Sequence, residues 1–357
     1  MNNLKIAVFE GDGIGPEIMA PTLRLLEHLA RDADSYSLEF DHLPAGASHY
    51  AKTGDALPKG SVDAARASDA ILLSAMGLPD IRYPDGTEIT PQIDLRFEMD
   101  LYAGVRPVRV APGYPSPLAA PGDVDFVLIR ESTEGLFHTK GKGTVTDDYA
   151  TETLKITRAT SEKLCRFAFS LAQQRRDAGR GSGRVTCVDK ANVFRAFAWF
   201  REIFDAEAEN HPELKSDHAY VDAMALWMVQ RPAEFDVMVT ENMFGDILSD
   251  LGAGLMGGLG LAPSADIGDA NAVFQPCHGT APDIAGRGIA NPMAMILSAG
   301  MMLDWLAVEN SSPELARDGT RLREAVEAVL REGTVLTGDL GGTGTTMAVA
   351  EAVGAKL

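Results

Sequence analysis

An α/β fold, in two domains or one large unit, is what this sequence predicts, and three observations predict it. Strand-like apolar runs alternate with helical stretches: LKIAVFE precedes PEIMAPTLRLLEHLA, SDAILLSAM runs into a loop, and DVDFVLIRES into a basic, glycine-bearing turn. Further on, GRVTCVDKAN and FDVMVTENMF each lead into a helix-like segment, and alternation of this kind builds sheets flanked by helices. At 357 residues the chain exceeds one comfortable hydrophobic core, so two domains or one large α/β unit is expected. No repeat, low-complexity tract or long linker separates two halves, so the domains interleave in sequence. APGYPSPLAAPGD and RRDAGRGSGR read as surface connections.

Composition narrows the function. Lys+Arg total 32 against 51 Asp+Glu, a formal charge of −19 that argues against nucleic acid or an anionic membrane as partner. It also makes any local gathering of arginines informative, because the global field does not draw an anion in. Cys165, Cys187 and Cys277 lie far apart with no CxxC pair, the pattern of reduced thiols in a cytoplasmic setting. A strand begins within a few residues of Met1 and no apolar run reaches spanning length, so neither a signal peptide nor a transmembrane helix is expected.

The elements carry their chemistry in order. EGDGIGPE follows a strand and precedes a helix, but its glycines, Gly11, Gly13 and Gly15, are spaced GxGxG, and Pro16 stands where a dinucleotide fingerprint would continue. Pro16 fits a first helical position with Glu17 in the first turn. A tight strand-to-helix turn and a ligand loop both fit that stretch. Arg96 and Arg106 lie in IDLRFEMDLYAGVRPVRV, and Arg130 ends DVDFVLIR. Guanidinium forks pair bidentately with carboxylates, so three near strand ends can hold a di- or tricarboxylate; taken singly, each also fits a salt-bridged surface. In VTENMFGDILSD, Asp246 and Asp250 are four apart, which on a helix puts both carboxylates on one face. Asp246, read as a first-turn residue, gains from the helix dipole. The pair is either a cap plus an exposed acid or an oxygen-only site suited to Mg²⁺ or Mn²⁺. Asp222 interrupts the apolar run YVDAMALWMV and needs a partner if buried.

Taken together, GDGIGPE, LRFEMDLYAGVRP, VDKANV, YVDAMA, NMFGDILSD, GLGLAPSA, HGTAPDIAGRGIANP and TGDLGG resemble, in order, the motifs of the isocitrate/isopropylmalate dehydrogenase family, the β-decarboxylating dehydrogenases of substituted malates. VDKANV and APDIAGRGIANP are most similar to the isopropylmalate branch. The resemblance implies a non-Rossmann, two-domain α/β fold with the active site in the interdomain cleft. A cofactor-side domain would comprise residues 1–103 plus 253–357, and a substrate, metal and dimerisation domain residues 104–252. It implies a homodimer with shared active sites, in which Arg96, Arg106 and Arg130 clamp the malate carboxylates and Asp246 and Asp250 bind Mg²⁺ or Mn²⁺. Asp222, a third metal ligand, and Lys190 would come from the neighbouring chain, with Asn192 beside Lys190. Lys190, directly or through water, would take the 2-hydroxyl proton while hydride leaves C2 for NAD⁺. Loss of carbon dioxide from the β-position would leave an enolate, whose charge the arginines and the cation stabilise.

For the cofactor, the resemblance implies that His278, Gly279, Thr280, Ala281, Asn291 and Asp339 hold the adenosine half. Asp283 would accept from the ribose hydroxyls and repel the 2′-phosphate of NADP, which makes NAD the expected cofactor. Gln275 stands where the isopropylmalate pattern has glutamate, a change expected to retune ribose-side contacts. Substrate choice is expected from GTEITPQIDLR. Gln92 and Ile93 replace the isopropylmalate enzymes' leucine pair, with Thr90 just before and Pro91 giving the loop its own shape. A buried amide facing an isopropyl group would lose about 1–3 kcal/mol, so a polar 3-substituent, or none, fits at least as well; Gln92 turned away or set against the nicotinamide amide would leave the choice open. Isocitrate, tartrate and D-malate are therefore alternative substrates. Phe137 occupies the family tyrosine's place and has no proton to give. His138, a water, Lys140 or Lys142 could deliver one, or the enzyme could oxidise without fast reprotonation. A non-catalytic regulatory relative is the rival class, against which the retained arginines, Lys190 and the aspartates weigh.

Overall fold

A computed structural model describes residues 2–111, 113–114, 116–118 and 123–357; within the expected connection APGYPSPLAAPGD, positions 112, 115 and 119–122 lie outside the described residues. The chain forms two compact units: Met1–Met99, Ala111–Pro115 and Gly257–Leu357 make the first, and Asp100–Val110 and Ser116–Met256 the second.

The first unit opens with β1 (Asn2–Phe9), α1 (Gly15–Asp32), β2 (Tyr36–His42), α2 (Ala47–Thr53), α3 (Lys59–Arg66), β3 (Ala70–Leu73) and α4 (Pro91–Glu98). The second unit then runs β4 (Ala103–Arg109), β5 (Asp125–Glu131), the two-residue strands β6 (Thr144–Val145) and β7 (Ala150–Thr151), and α5 (Arg158–Asp177). It continues with β8 (Arg184–Asp189), α6 (Arg195–Ala208), β9 (Lys215–Tyr220), α7 (Val221–Gln230), β10 (Val237–Thr240) and α8 (Asn242–Met256). The chain returns to the first unit for β11 (Pro263–Ile267), β12 (Ala272–Pro276), α9 (Met293–Glu309), α10 (Pro313–Glu332) and α11 (Thr346–Gly354).

In the first unit the strand order is β2-β1-β3-β12-β11; all neighbours are parallel except the antiparallel pair β11/β12. Every residue of β3, β11 and β12 is buried. Strands covered on both faces read as continuous apolar runs, which is why AILL and AVF alternate with nothing polar. In the second unit the order is β4-β5-β10-β8-β9, with β4 antiparallel to β5 and the other neighbours parallel. Helices α5 and α6 pack together, as do α7 and α8, and α8 also packs on β4, β5 and β10. This topology brings the carboxyl ends of β5, β10, β8 and β9 to one end of the sheet, where ligand sites of parallel sheets form.

GDGIGPE proves to be a packed turn. Asp12 is 2% exposed, and its carboxylate accepts the N–H groups of Ala47 at 2.7 Å, Ser48 at 2.8 Å and Gly77 at 2.9 Å, capping α2. Gly11 and Gly13 have φ of 77° and 59°, and a Cβ on Gly13 would stand 2.1 Å from the Thr280 carbonyl oxygen. Pro16 lies at the start of α1, as the sequence predicts. Glu17 reaches across to Gly286 N at 3.1 Å, Ala290 N at 3.0 Å and the Thr346 hydroxyl at 2.8 Å. Burial opposes its charge, but these donors outweigh burial and hold its carboxyl below the usual range. The turn braces the HGTAPDIAGRGIA loop, and its Ile14 lines a cavity of the first unit.

Candidate active site

In the second unit the site begins with register. Arg130 of β5 lies opposite Gly104 of β4, and Arg106 is two residues further along β4. Side chains alternate along a strand, so Arg106 and Arg130 project from one face as a diagonal pair, with no side chain at Gly104 to separate them. Both are buried, at 5% exposure each. Arg130 donates to Asn242 Oδ1 at 2.8 Å and forms an ion pair with Asp246. Helix α8 can approach this closely because residue 245 is glycine: a Cβ there would sit 2.6 Å from Arg130 Cβ and Cγ.

Asp246 and Asp250 do share a face of α8. The helix starts at Asn242, however, so Asp246 falls in the second turn and not the first, as the sequence reading had it. The first-turn N–H groups are served by Glu241, which accepts from Met243 at 2.9 Å and Phe244 at 3.3 Å. Burial, then the neighbouring Asp246 charge, pushes the Asp250 carboxyl above the usual range. A divalent cation would relieve that repulsion, and carboxylate oxygens suit a hard ion. No cluster of three or more ligating side chains forms among the described residues.

At the end of β8, Lys190 is ion-paired with Asp222 of α7, and the Asp222 carboxyl is held below its usual range chiefly by that hydrogen bond. The turn carrying Lys190 is fixed by the fully buried Asp189, which takes Arg201 Nη2 at 2.7 Å, Arg201 Nε at 2.8 Å and Ala191 N at 2.8 Å. Asn192 lies two residues beyond Lys190 on an exposed part of the same turn. Phe137 belongs to a short 3-10 turn, Leu136–Thr139, with the Arg130 guanidinium 5.9 Å from its ring centroid; His138, Lys140 and Lys142 are exposed.

In the first unit, the specificity segment is helical. Pro91 opens α4, Thr90 is the residue before it, and Gln92, Ile93 and Arg96 follow. Gln92 and Arg96 are one turn apart on one face. Gln92 Oε1 is shielded from water and has no hydrogen-bond partner. Arg96 is 8% exposed and binds the fully buried Asp266 through Nε at 3.2 Å and Nη2 at 3.1 Å.

The cofactor residues divide. A cavity of about 420 Å³ is lined by His278, Asn291 and Asp339 among others. His278 Nδ1 stands 2.9 Å from the Gly279 carbonyl, which can only accept, so Nδ1 carries the proton and Nε2 a lone pair. That Nε2 is buried without a partner, and burial lowers the imidazole pKa and so favours its neutral form. Asn291 Nδ2 donates to Asp339 Oδ2 at 3.0 Å, and a Cβ on Gly260 would come 2.5 Å from that oxygen. Gly279, Thr280, Ala281 and Asp283 are not among the lining residues. Thr280 is buried and donates its hydroxyl to Gly77 O at 2.8 Å, Ala281 has φ of 38°, and Gly279 and Asp283 are exposed. Asn242, Gly245, Asp266 and Gly260 were missed in the sequence; each sits inside a motif quoted for its neighbours or close to one.

The first unit thus holds a cavity with an unsatisfied acceptor, and the second an arginine–aspartate–lysine set at strand ends. Sequence and structure comparisons agree. The profile described as isocitrate/isopropylmalate dehydrogenase matches residues 5–354. The chain is 41% identical over 355 residues to the 3-isopropylmalate/3-methylmalate dehydrogenase of Methanocaldococcus jannaschii, covering 99% of this chain and 98% of that one. It is 35% identical to the probable tartrate dehydrogenase/decarboxylase of Bacillus subtilis, covering 100% of this chain and 99% of that one. The crystal structure of isocitrate dehydrogenase from Methylococcus capsulatus superposes with a TM-score of 0.86 at 34% identity, covering 100% and 99% of the two chains. The chain belongs to the isocitrate/isopropylmalate dehydrogenase family. It is a hydroxyacid dehydrogenase of the decarboxylating kind, and membership implies a nicotinamide cofactor, a divalent metal and a small carboxylic-acid substrate.

Proposed function

We propose that the protein catalyses NAD-dependent, Mg²⁺- or Mn²⁺-dependent oxidative decarboxylation of a 3-substituted (2R)-malate. The observation that carries this reading is the cluster at the strand ends of the second unit, where two buried arginines on one sheet face meet a helix bearing two aspartates one turn apart. Arg96, Arg106 and Arg130 bind the substrate carboxylates, and the guanidinium charges stabilise the enolate left when carbon dioxide departs. Asp246 and Asp250 hold the cation together with Asp222 of a second copy. Lys190, with its Nζ steadied by Asp222, takes the 2-hydroxyl proton directly or through water, and Asn192 flanks it. When bound, the cation supplies polarisation of the C2 oxygen and the nicotinamide supplies the hydride acceptor.

His278 Nε2 offers its lone pair to a donor such as the adenine amino group, and Asn291 and Asp339 line the same cavity. Gly279, Thr280 and Ala281 shape the neighbouring loop. Asp283, exposed there, accepts ribose hydroxyls and disfavours the extra phosphate of NADP.

A homodimer fits the apolar side chains left on the second unit. Leu226 and Val229 of α7 and Met243 and Ile247 of α8 are all exposed, Ile247 at 63%, and the two helices pack side by side. A patch of that kind on packed helices marks an interface, and a second copy is the occupant that would also bring Lys190 and Asp222 to the site.

The unpartnered Gln92 Oε1 favours a substrate whose 3-substituent can hydrogen-bond over one carrying isopropyl, with Thr90 and Ile93 completing the contact. The test is kcat/KM for 3-isopropylmalate, isocitrate, tartrate and D-malate with NAD⁺ and Mn²⁺, repeated in Gln92→Leu. The expected result is a preference for a polar 3-substituent that shifts toward 3-isopropylmalate by about tenfold or more in the variant. Wild-type preference for 3-isopropylmalate would remove the Gln92 reading, and silence with all four acids would remove the function.

A further inference from the structure

The carboxylate that anchors Arg96 has a second donor. Asp266 Oδ2, which takes Arg96 Nε at 3.2 Å and Nη2 at 3.1 Å, also accepts Gln275 Nε2 at 2.6 Å. All three residues are buried: Asp266 at 0%, Gln275 at 7% and Arg96 at 8% exposure. Register brings the first two together. In the antiparallel pair β11/β12, Asp266 lies opposite Val273 and Ser264 opposite Gln275, so Asp266 and Gln275 are diagonal neighbours on one face. The main chain at Gln275 is pinned as well, because its carbonyl accepts the hydroxyls of Ser264 at 2.8 Å and Ser298 at 2.9 Å. Asp266 engages Arg96 through Nε and Nη2 and not through Nη1.

We propose that Gln275 is a positioning residue for substrate binding: its neutral carboxamide locks Asp266 onto one edge of Arg96 and leaves the guanidinium charge for the substrate carboxylate. This rests on the reading of Arg96 as a carboxylate ligand. A carboxamide gives Asp266 a hydrogen bond without adding charge. A carboxyl group at position 275 would have two states. Protonated, it donates to Asp266 much as the amide does. Ionised, it sets two carboxylates in contact in a dry place, which the site resolves by binding a proton or by drawing Arg96's charge onto itself. The charged groups on the elements packed against β12 are few. Strand β3 has no ionisable side chain, β11 has Asp266 alone, and α9 has Asp304, paired with Arg323, and Glu309 at its far end. On α4, Asp94 and Glu98 lie two residues either side of Arg96, and Glu98 pairs with Arg66 at 3.5 Å.

The test is KM and kcat for the best hydroxyacid, and KM for NAD⁺, across roughly pH 6 to 9 in wild type, Gln275→Glu, Gln275→Met and Arg96→Met. Taken as a ratio to wild type, KM for the hydroxyacid in Gln275→Glu should stay near one at the acid end and climb about tenfold toward the alkaline end. Both kcat and the NAD⁺ KM should hold within about twofold. Gln275→Met should raise the hydroxyacid KM by about threefold at every pH, through the lost hydrogen bond alone, and it carries the test if the glutamate variant does not fold. A pH-flat ratio in Gln275→Glu, an unchanged KM in Gln275→Met, or an equal shift in the NAD⁺ KM overturns the proposal. If Arg96→Met raises the hydroxyacid KM while those results hold, only the Gln275 inference fails. If Arg96→Met leaves it unchanged, the substrate-clamp reading fails with it.

Discussion

Phe137 holds its ring 5.9 Å beneath the Arg130 guanidinium but has no hydroxyl to offer there. The 3-10 turn that carries it leaves His138, Lys140 and Lys142 exposed, while Phe137 is half-buried beside Arg130. Phe137→Tyr is therefore expected to raise the rate at which decarboxylated, reprotonated product appears, by about tenfold, with little change in KM for the hydroxyacid. Product assayed by NMR in deuterated water separates this step from NADH formation, and an unchanged product rate would show that the proton already has another source. Residue identity at this site was legible in part. Arg130 stands out at the end of a strand and Asp246 by its spacing to Asp250, whereas Lys190 was reached only through the resemblance. The meeting of Asp266 with Gln275 was not legible, because it is set by the β11/β12 register, and nothing in the local sequence reports which face Gln275 takes. The sequence reading expected Gln275 to retune ribose-side contacts; in the structure its Nε2 donates to Asp266.

At the scale of elements, α8 is what makes an arginine into a site. NMFGDILSD places glycine where the helix crosses β5, and the approach is closer than a methyl group allows, 2.6 Å from a built Cβ to Arg130 Cβ and Cγ. Gly245→Ala should push Arg130 off its line to Asn242 and Asp246, costing about 1–3 kcal/mol in stability. It should also raise KM for the hydroxyacid more than KM for NAD⁺. A thermal midpoint and both KM values check this; an unperturbed hydroxyacid KM would mean that Arg130 does not bind substrate. The existence of α8 and of the strand before it was readable from apolar runs and periodicity. Its first residue was not, since the turn chemistry at Glu241 decides whether the helix begins at Asn242 or nearer Asp246. Likewise Pro91 signalled a loop of its own shape in the sequence and instead starts α4, the position where proline's missing N–H costs nothing.

At the scale of the molecule, strand–helix alternation foretold the α/β class; the chain passes to the second unit at Asp100, back to the first over Ala111–Pro115, and finally returns at Gly257. The cofactor residues were reachable only through the resemblance, because His278 and Asp339 are joined by a cavity and not by spacing. No helix among the described residues is long and apolar enough to cross a membrane. All of these features serve one chemical claim, that a single active site both oxidises C2 and releases the β-carboxyl group. The direct test is the stoichiometry of NADH and carbon dioxide produced from the preferred hydroxyacid with Mn²⁺, before and after chelation. Equal amounts of both, abolished together by chelator and restored together by Mn²⁺ or Mg²⁺, are predicted. NADH without carbon dioxide, or turnover indifferent to the metal, would contradict it.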